Sequence, residues 1–177
     1  VLAALAVGCS SESVPIDPAR AAKPQAHELR WIERYPASGP GLVFRVQSFA
    51  VTRDGWEAEI AFDNRSGVHW ELPEAQEAFR RMFGVMLFAT GELDEVERKS
   101  KDGDLPPVRR ARTFAPALVA FLPAGETWSG RISAPGALPA GSFARLVFGP
   151  FTAAADPPEG MKSPVVWITD QVLELEP

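Results

Sequence analysis

From residue 42 onward the chain alternates apolar and polar positions in short runs, the period-two signature of half-buried strands. Leu42, Phe44 and Val46 share one face. The apolar set then moves to Phe49 and Val51, and this slip near Ser48 predicts a bulge. Asp54-Gly55 is a hairpin signal. After it, Trp56, Ala58, Ile60 and Phe62 are expected to face inward and Glu57, Glu59 and Asp63 outward. Asn64-Arg65-Ser66-Gly67 predicts a turn, after which Val68, Trp70 and Leu72 resume the alternation. Upstream, residues 28–35 form a first strand, broken by the proline- and glycine-rich stretch 36–41.

The pattern continues to the end of the chain. Residues 73–82 predict one short helix, with Pro73 at its start, glutamates early and arginines late, as the helix dipole favours. Phe83 to Phe88 is an apolar strand, and residues 91–110 are expected to be a charged loop. Arg112 to Leu122 returns to strand, interrupted at Pro116. Leu-Pro-Ala-Gly occurs at 122–125 and again at 138–141, with proline suited to the second position of a turn and glycine to the fourth. Trp128, Gly130 and Ile132 alternate with polar neighbours. Strands follow from Ser142 to Phe148, limited by Gly149-Pro150, and from Val165 to Leu175. Trp56, Ile60, Phe62, Trp70, Val85, Leu87, Trp128, Ile132, Leu146 and Phe148 are expected to share one core.

Seven to nine short strands with turn signals between them predict an all-β fold, an antiparallel β-sandwich over residues 28–177, with an eight-stranded barrel as the rival architecture. The layout resembles the immunoglobulin-like domains of bacterial envelope proteins. The single cysteine rules out the intersheet disulfide of antibody domains.

That cysteine closes the run Leu2-Ala3-Ala4-Leu5-Ala6-Val7-Gly8-Cys9. The run is too short to span a bilayer, which takes about 20 apolar residues, and it fits the end of a signal peptide with small residues at the cleavage site. It resembles the lipobox of bacterial lipoproteins, with Ala6 where members most often have Leu. The resemblance implies that residues 1–8 are a signal-peptide remnant and that Cys9 is the lipid-attachment site and mature N-terminus. Two or more acyl chains anchor stably where one does not. Ser10 after the cysteine implies the outer membrane if the host is Gram-negative. Residues 9–27, small and proline-punctuated, are expected to be a lipidated tether.

Composition narrows the function. The formal net charge of −5 and pI near 5.1 argue against a general nucleic-acid binder. His27 and His69 are the only histidines, too few for a usual zinc site, so no metal and no cofactor is expected. Glu92, Asp94, Glu95, Asp102 and Asp104 could suit calcium but lack regular ligand spacing, which favours a solvated charge run. No Gly-x-Ser-x-Gly or phosphate loop is present, and a serine triad would have to use His69. The arginine pairs Arg80, Arg81 and Arg109, Arg110, with Arg112, flank the acidic segment 92–104. They are the candidate partner-binding residues, since guanidinium forks suit an anionic envelope component or protein. Internal charge pairing is the plainer reading.

The chain is therefore expected to be a non-catalytic envelope lipoprotein, held to the membrane through lipid on Cys9. An envelope hydrolase using an acidic cluster, or a loop-based proteinase inhibitor, are the alternatives. The segment 92–107 is expected to be removable at little cost in stability.

Overall fold

The period-two runs pair as antiparallel strands in two sheets packed face to face. The computed structural model describes residues 20–73 and 81–177. In chain order the elements are β1 (Gln25–Tyr35), β2 (Leu42–Val51), β3 (Gly55–Asn64), β4 (Trp70–Glu71), β5 (Gly84–Phe88), α1 (Leu93–Asp102), β6 (Arg109–Arg110), β7 (Thr113–Ala115), β8 (Phe121–Leu122), β9 (Thr127–Pro135), β10 (Phe143–Ala153), β11 (Val165–Ile168) and β12 (Leu173–Glu174). The first sheet has the order β1-β2-β3-β9-β7. The second runs β6-β5-β10-β4-β8, and β11 and β12 also pair with β10.

The expected core is present. Trp56, Ile60, Phe62, Trp70, Val85, Trp128, Ile132, Leu146 and Phe148 are buried in one cluster, with Leu87 packed against it half-buried. Between the sheets Phe44 meets Phe148 at 5.1 Å between ring centroids, and Phe62 meets Phe151 at 5.1 Å and Phe83 at 5.6 Å. The bulge falls where the phase slips: Val46 pairs with Ile60 and Ser48 with Glu59, which leaves Gln47 extra. A second bulge between Glu28 and Trp31 lies against the same stretch of β2. There Arg30 takes a left-handed φ of 53°.

Asn64 ties the corner where the chain leaves the first sheet for the second. Its Nδ2 donates to the carbonyls of Val68 (2.8 Å) and Leu122 (2.9 Å), and its Oδ1 accepts from the N–H and hydroxyl of Ser66. Trp70 Nε1 donates to Ser66 Oγ at 2.9 Å. The expected turn is therefore a saturated polar knot beneath a buried indole.

Several expectations are corrected. Residues 91–110 are not a loop, because α1 occupies 93–102. Asp94 and Glu95 sit in its first turn and Lys99 and Lys101 in its last, and Gly103 caps it at φ 71° with its N–H on the Lys99 carbonyl. Val96 lies buried with Met86, Phe88 and Val147 in a second cluster on the outer face of the second sheet. Removing 92–107 would uncover that cluster, so the segment is structural. The helix expected over 73–82 falls mainly on residues outside those described; Pro73, Arg81 and Met82 at its ends are not helical. The domain begins before residue 28: β1 starts at Gln25, and Ala21 bridges to Pro139. Gly149-Pro150 does not end β10 but lies within a register shift between Phe148 and Phe151. Gly149 takes φ 125° there, and a Cβ would stand 2.6 Å from the Val165 carbonyl oxygen. Both Leu-Pro-Ala-Gly turns sit one residue further on, with Gly125 and Gly141 at the third position and positive φ. Asp63 is buried rather than solvated, paired with Arg45 at 2.6 Å and accepting from Thr127 Oγ1 at 3.1 Å.

Truncating Ile60, which is fully buried, to Ala should cost about 2–5 kcal/mol in urea unfolding, whereas Glu59→Ala on the wet face should stay within about 0.5 kcal/mol. The reverse ranking would mean that β3 faces the other way.

Candidate functional site

The candidate site is built around the connection from β9 to β10, at the end of the sandwich where the chain enters. Ala22 N–H donates to the Leu138 carbonyl and Ala140 N–H to the Arg20 carbonyl, each at 2.8 Å. This clips the incoming strand to the connection and places Arg20 beside it. Gly136 N–H donates to the Asp54 carbonyl at 3.0 Å, which brings up the β2–β3 hairpin and Arg53. Arg112 N–H donates to the Ser133 carbonyl at 2.8 Å. Arg109 reaches over with its side chain, Nη1 donating to the Ala137 carbonyl at 3.4 Å. Residues 133–140 themselves carry no charge. Four arginines from three separate parts of the sequence thus stand around one uncharged connection.

Arg20, Arg53 and Arg112 are exposed and Arg109 is half-buried. Burial pushes the Arg109 guanidinium below its ordinary value. None of the four makes an ion pair among the described residues, whereas Arg45, Arg65, Lys99, Lys101 and Arg131 do. Acidic groups at this end include Asp54, Glu174 and Glu176, all exposed.

The sequence-expected arginine group is divided. Arg109 and Arg112 join the site. Arg110 is the strand neighbour of Arg109, paired with Gly84, so its side chain leaves by the opposite face of β6. Arg81 is engaged elsewhere: its guanidinium lies 5.1 Å over the Phe114 ring and its Nε donates to the Pro73 carbonyl at 3.2 Å. Arg80 and Cys9 lie outside the described residues. Arg20 and Arg53 had no sequence signal, since only the bridge at Ala21 and the hairpin pairing bring them in.

The acidic residues of 92–104 are strung along α1 and its exit. Glu95 is turned back on the preceding chain, with its Oε2 accepting from the Thr90 hydroxyl at 2.7 Å and the Thr90 N–H at 3.1 Å. The Thr90 hydroxyl holds the Glu95 carboxyl below its ordinary range, desolvation opposes this, and Lys99 and Arg98 add to the lowering. Among the described residues no three His, Cys, Asp or Glu side chains are grouped to hold a metal ion. His69 is exposed, and His27 Nε2 is bonded to Gln25 Oε1 at 3.1 Å. On the outer face of the first sheet, Glu57 and Glu59 face Arg131, which bridges both at 3.7 and 3.2 Å.

One polar cluster was not foreseen. Glu33 points inward from β1, in phase with Trp31 and Tyr35, and is nearly buried. Its carboxylate accepts from Trp167 Nε1 (2.7 Å), the Asp170 N–H (2.9 Å) and the Gln171 N–H (2.9 Å). Arg145 is fully buried beneath the same turn. It donates to the carbonyls of Thr169 (2.9 Å), Asp170 and Gly91 (2.7 Å) and lies 5.8 Å from the Phe88 ring centroid. These two charges clamp the 169–171 turn and the start of α1 to the sheets. With their bonds directed at backbone and at the Trp167 indole, they hold the fold together.

No family model matches the chain, and neither a curated protein nor a solved structure matches it.

Replacing Glu95 by Ala should loosen α1. Because the folded-state value is lowered, the deficit against the parent protein is full above the ordinary carboxylate range and closes as pH falls through the lowered value. Thermal unfolding of both proteins across an acid titration checks this. A deficit that grew toward acid would contradict it.

Proposed function

We propose that the chain is a membrane-anchored cell-envelope lipoprotein whose β-sandwich is a non-catalytic binding or structural domain. The observation that carries this reading is the apolar run ending in Gly8-Cys9, with a well-packed domain that begins at Ala21, twelve residues further on. Lipid on Cys9 holds the protein to the membrane, and the outer membrane is the proposed location from Ser10. The anionic envelope component or partner protein is met by arginines, since guanidinium groups form paired hydrogen bonds with phosphates and carboxylates. The polar clusters of the sandwich support a binding rather than a catalytic role. Glu33, Asn64 and Arg145 bond mainly to backbone, and Asp63 to the Arg45, Arg65 and Thr127 side chains, so all four are engaged within the fold.

The test is fractionation. Expressed with a complete signal peptide, the parent chain should sediment with membranes and incorporate labelled fatty acid, and Cys9→Ser should move to the soluble fraction without label. Equal membrane retention of Cys9→Ser would overturn the anchor.

A further inference from the structure

The end of the sandwich that receives the chain is also the end ringed by arginines, and this has a consequence for how the domain sits. From Cys9 to Arg20 there are only eleven residue steps, which cannot reach beyond about 40 Å even at full extension. The longest strands, β1 and β10, have eleven residues each, so the sandwich is itself roughly 35 Å tall. A flexible chain of eleven residues averages only about 18 Å end to end, roughly half that height, so the receiving end lies on average nearest to the surface that holds the anchor. That end carries Arg20, Arg53, Arg109 and Arg112 around the uncharged segment 133–140.

We propose that this end docks on the anionic headgroups of the bilayer that holds Cys9, with Arg20, Arg53, Arg109 and Arg112 as contacts to lipid phosphate. The inference rests on the lipoprotein reading for the identity of the surface, but the docking chemistry belongs to the folded domain. Guanidinium forks match phosphate oxygens two at a time. A basic side chain near an anionic bilayer contributes about a fivefold gain in partition, within a Debye length of roughly 8 Å at physiological salt. Tethering converts this modest attraction into a local, intramolecular event with a high effective concentration. Asp54, Glu174 and Glu176 at the same end oppose it, and they set a limit on how many headgroups can be engaged.

The test uses the full chain carrying Cys9→Ser, so that lipidation plays no part, and vesicles of phosphatidylcholine with or without phosphatidylglycerol. Sedimentation should show binding that depends on phosphatidylglycerol and falls as salt rises. R20Q, R53Q, R109Q and R112Q should each lower the partition coefficient roughly fivefold. R30Q and R34Q, further along β1 from this end, should change it less than twofold. R53Q and R112Q are exposed substitutions whose folding is checked by thermal unfolding, so they decide the matter if R109Q is unstable. Equal binding to neutral vesicles, or an equal loss from R30Q, overturns the docking surface. So does capture of an acidic envelope protein by these arginines without any response to phosphatidylglycerol. A chain that binds these vesicles but is never lipidated in cells keeps the docking surface and loses the anchor; one that is lipidated but ignores phosphatidylglycerol loses the docking surface alone.

Discussion

The sandwich depends on the aromatic layer that separates its sheets. Phe44 and Phe62 from the first sheet meet Phe148, Phe151 and Phe83 from the second, and Trp167 stacks on Phe44 at an interplanar angle of 8°. Rings of this size bury large area and hold two sheets at the usual spacing of about 10 Å. Such a layer demands strict phase, because a slip of one residue sends every ring to the solvent face. The bulge at Gln47 meets that demand: it lets Val46 and Phe49 both point inward along one strand. The polar clamps then fix what the rings cannot. Asn64 locks the crossing between sheets, and Glu33 pins the 169–171 turn that carries Trp167 to its stack.

The strands and core were legible because they obey a local rule. Trp56, Ala58, Ile60 and Phe62 can be read inward from the sequence alone, and Ser48 marks its bulge by the phase slip. The helix α1 was not read, although its signals are present: acids first, lysines last, Gly103 at the cap. Its apolar face is one turn wide, Val96 flanked by Leu93, and a run so charged reads as a solvated loop until Met86, Phe88 and Val147 supply a surface for it to cover. Met86 and Val147 were themselves a signal. They alternate with core residues on strands whose second face would otherwise be wet.

Buried charge marks the other limit. Glu33 lies in the inward phase of β1, and an inward-facing charge on an edge strand discourages pairing with another chain. Its partners, the N–H groups of Asp170 and Gln171, lie at the far end of the sequence. Arg145 is more extreme, fully buried with its Nε lacking a partner. Desolvating a guanidinium is costly. Three backbone carbonyls and the Phe88 ring offset that cost, and none of them announces itself in sequence. For the same reason the arginine end was only half visible. Arg109 and Arg112 stand together in the chain, but Arg20 and Arg53 reach them through the Ala21 bridge and the β2–β3 hairpin.

The two proposed attachments respond to different physics, and this gives the arrangement its character. Acyl chains on Cys9 hold by burying methylenes, a contribution of about 0.8 kcal/mol each that salt hardly changes. Arginine contacts to headgroups fade once the Debye length shortens, to about 3 Å at 1 M salt. If both attachments hold, raising salt leaves the chain on the membrane while freeing the domain to turn. Arg45, Arg65 and Arg131 do not take part in that response as free cations, because Asp63, Glu57 and Glu59 already hold them. Among the described residues the ion pairs of the first sheet thus gather around Asp63 and Arg131, whereas Arg20, Arg53, Arg109 and Arg112 around 133–140 make none.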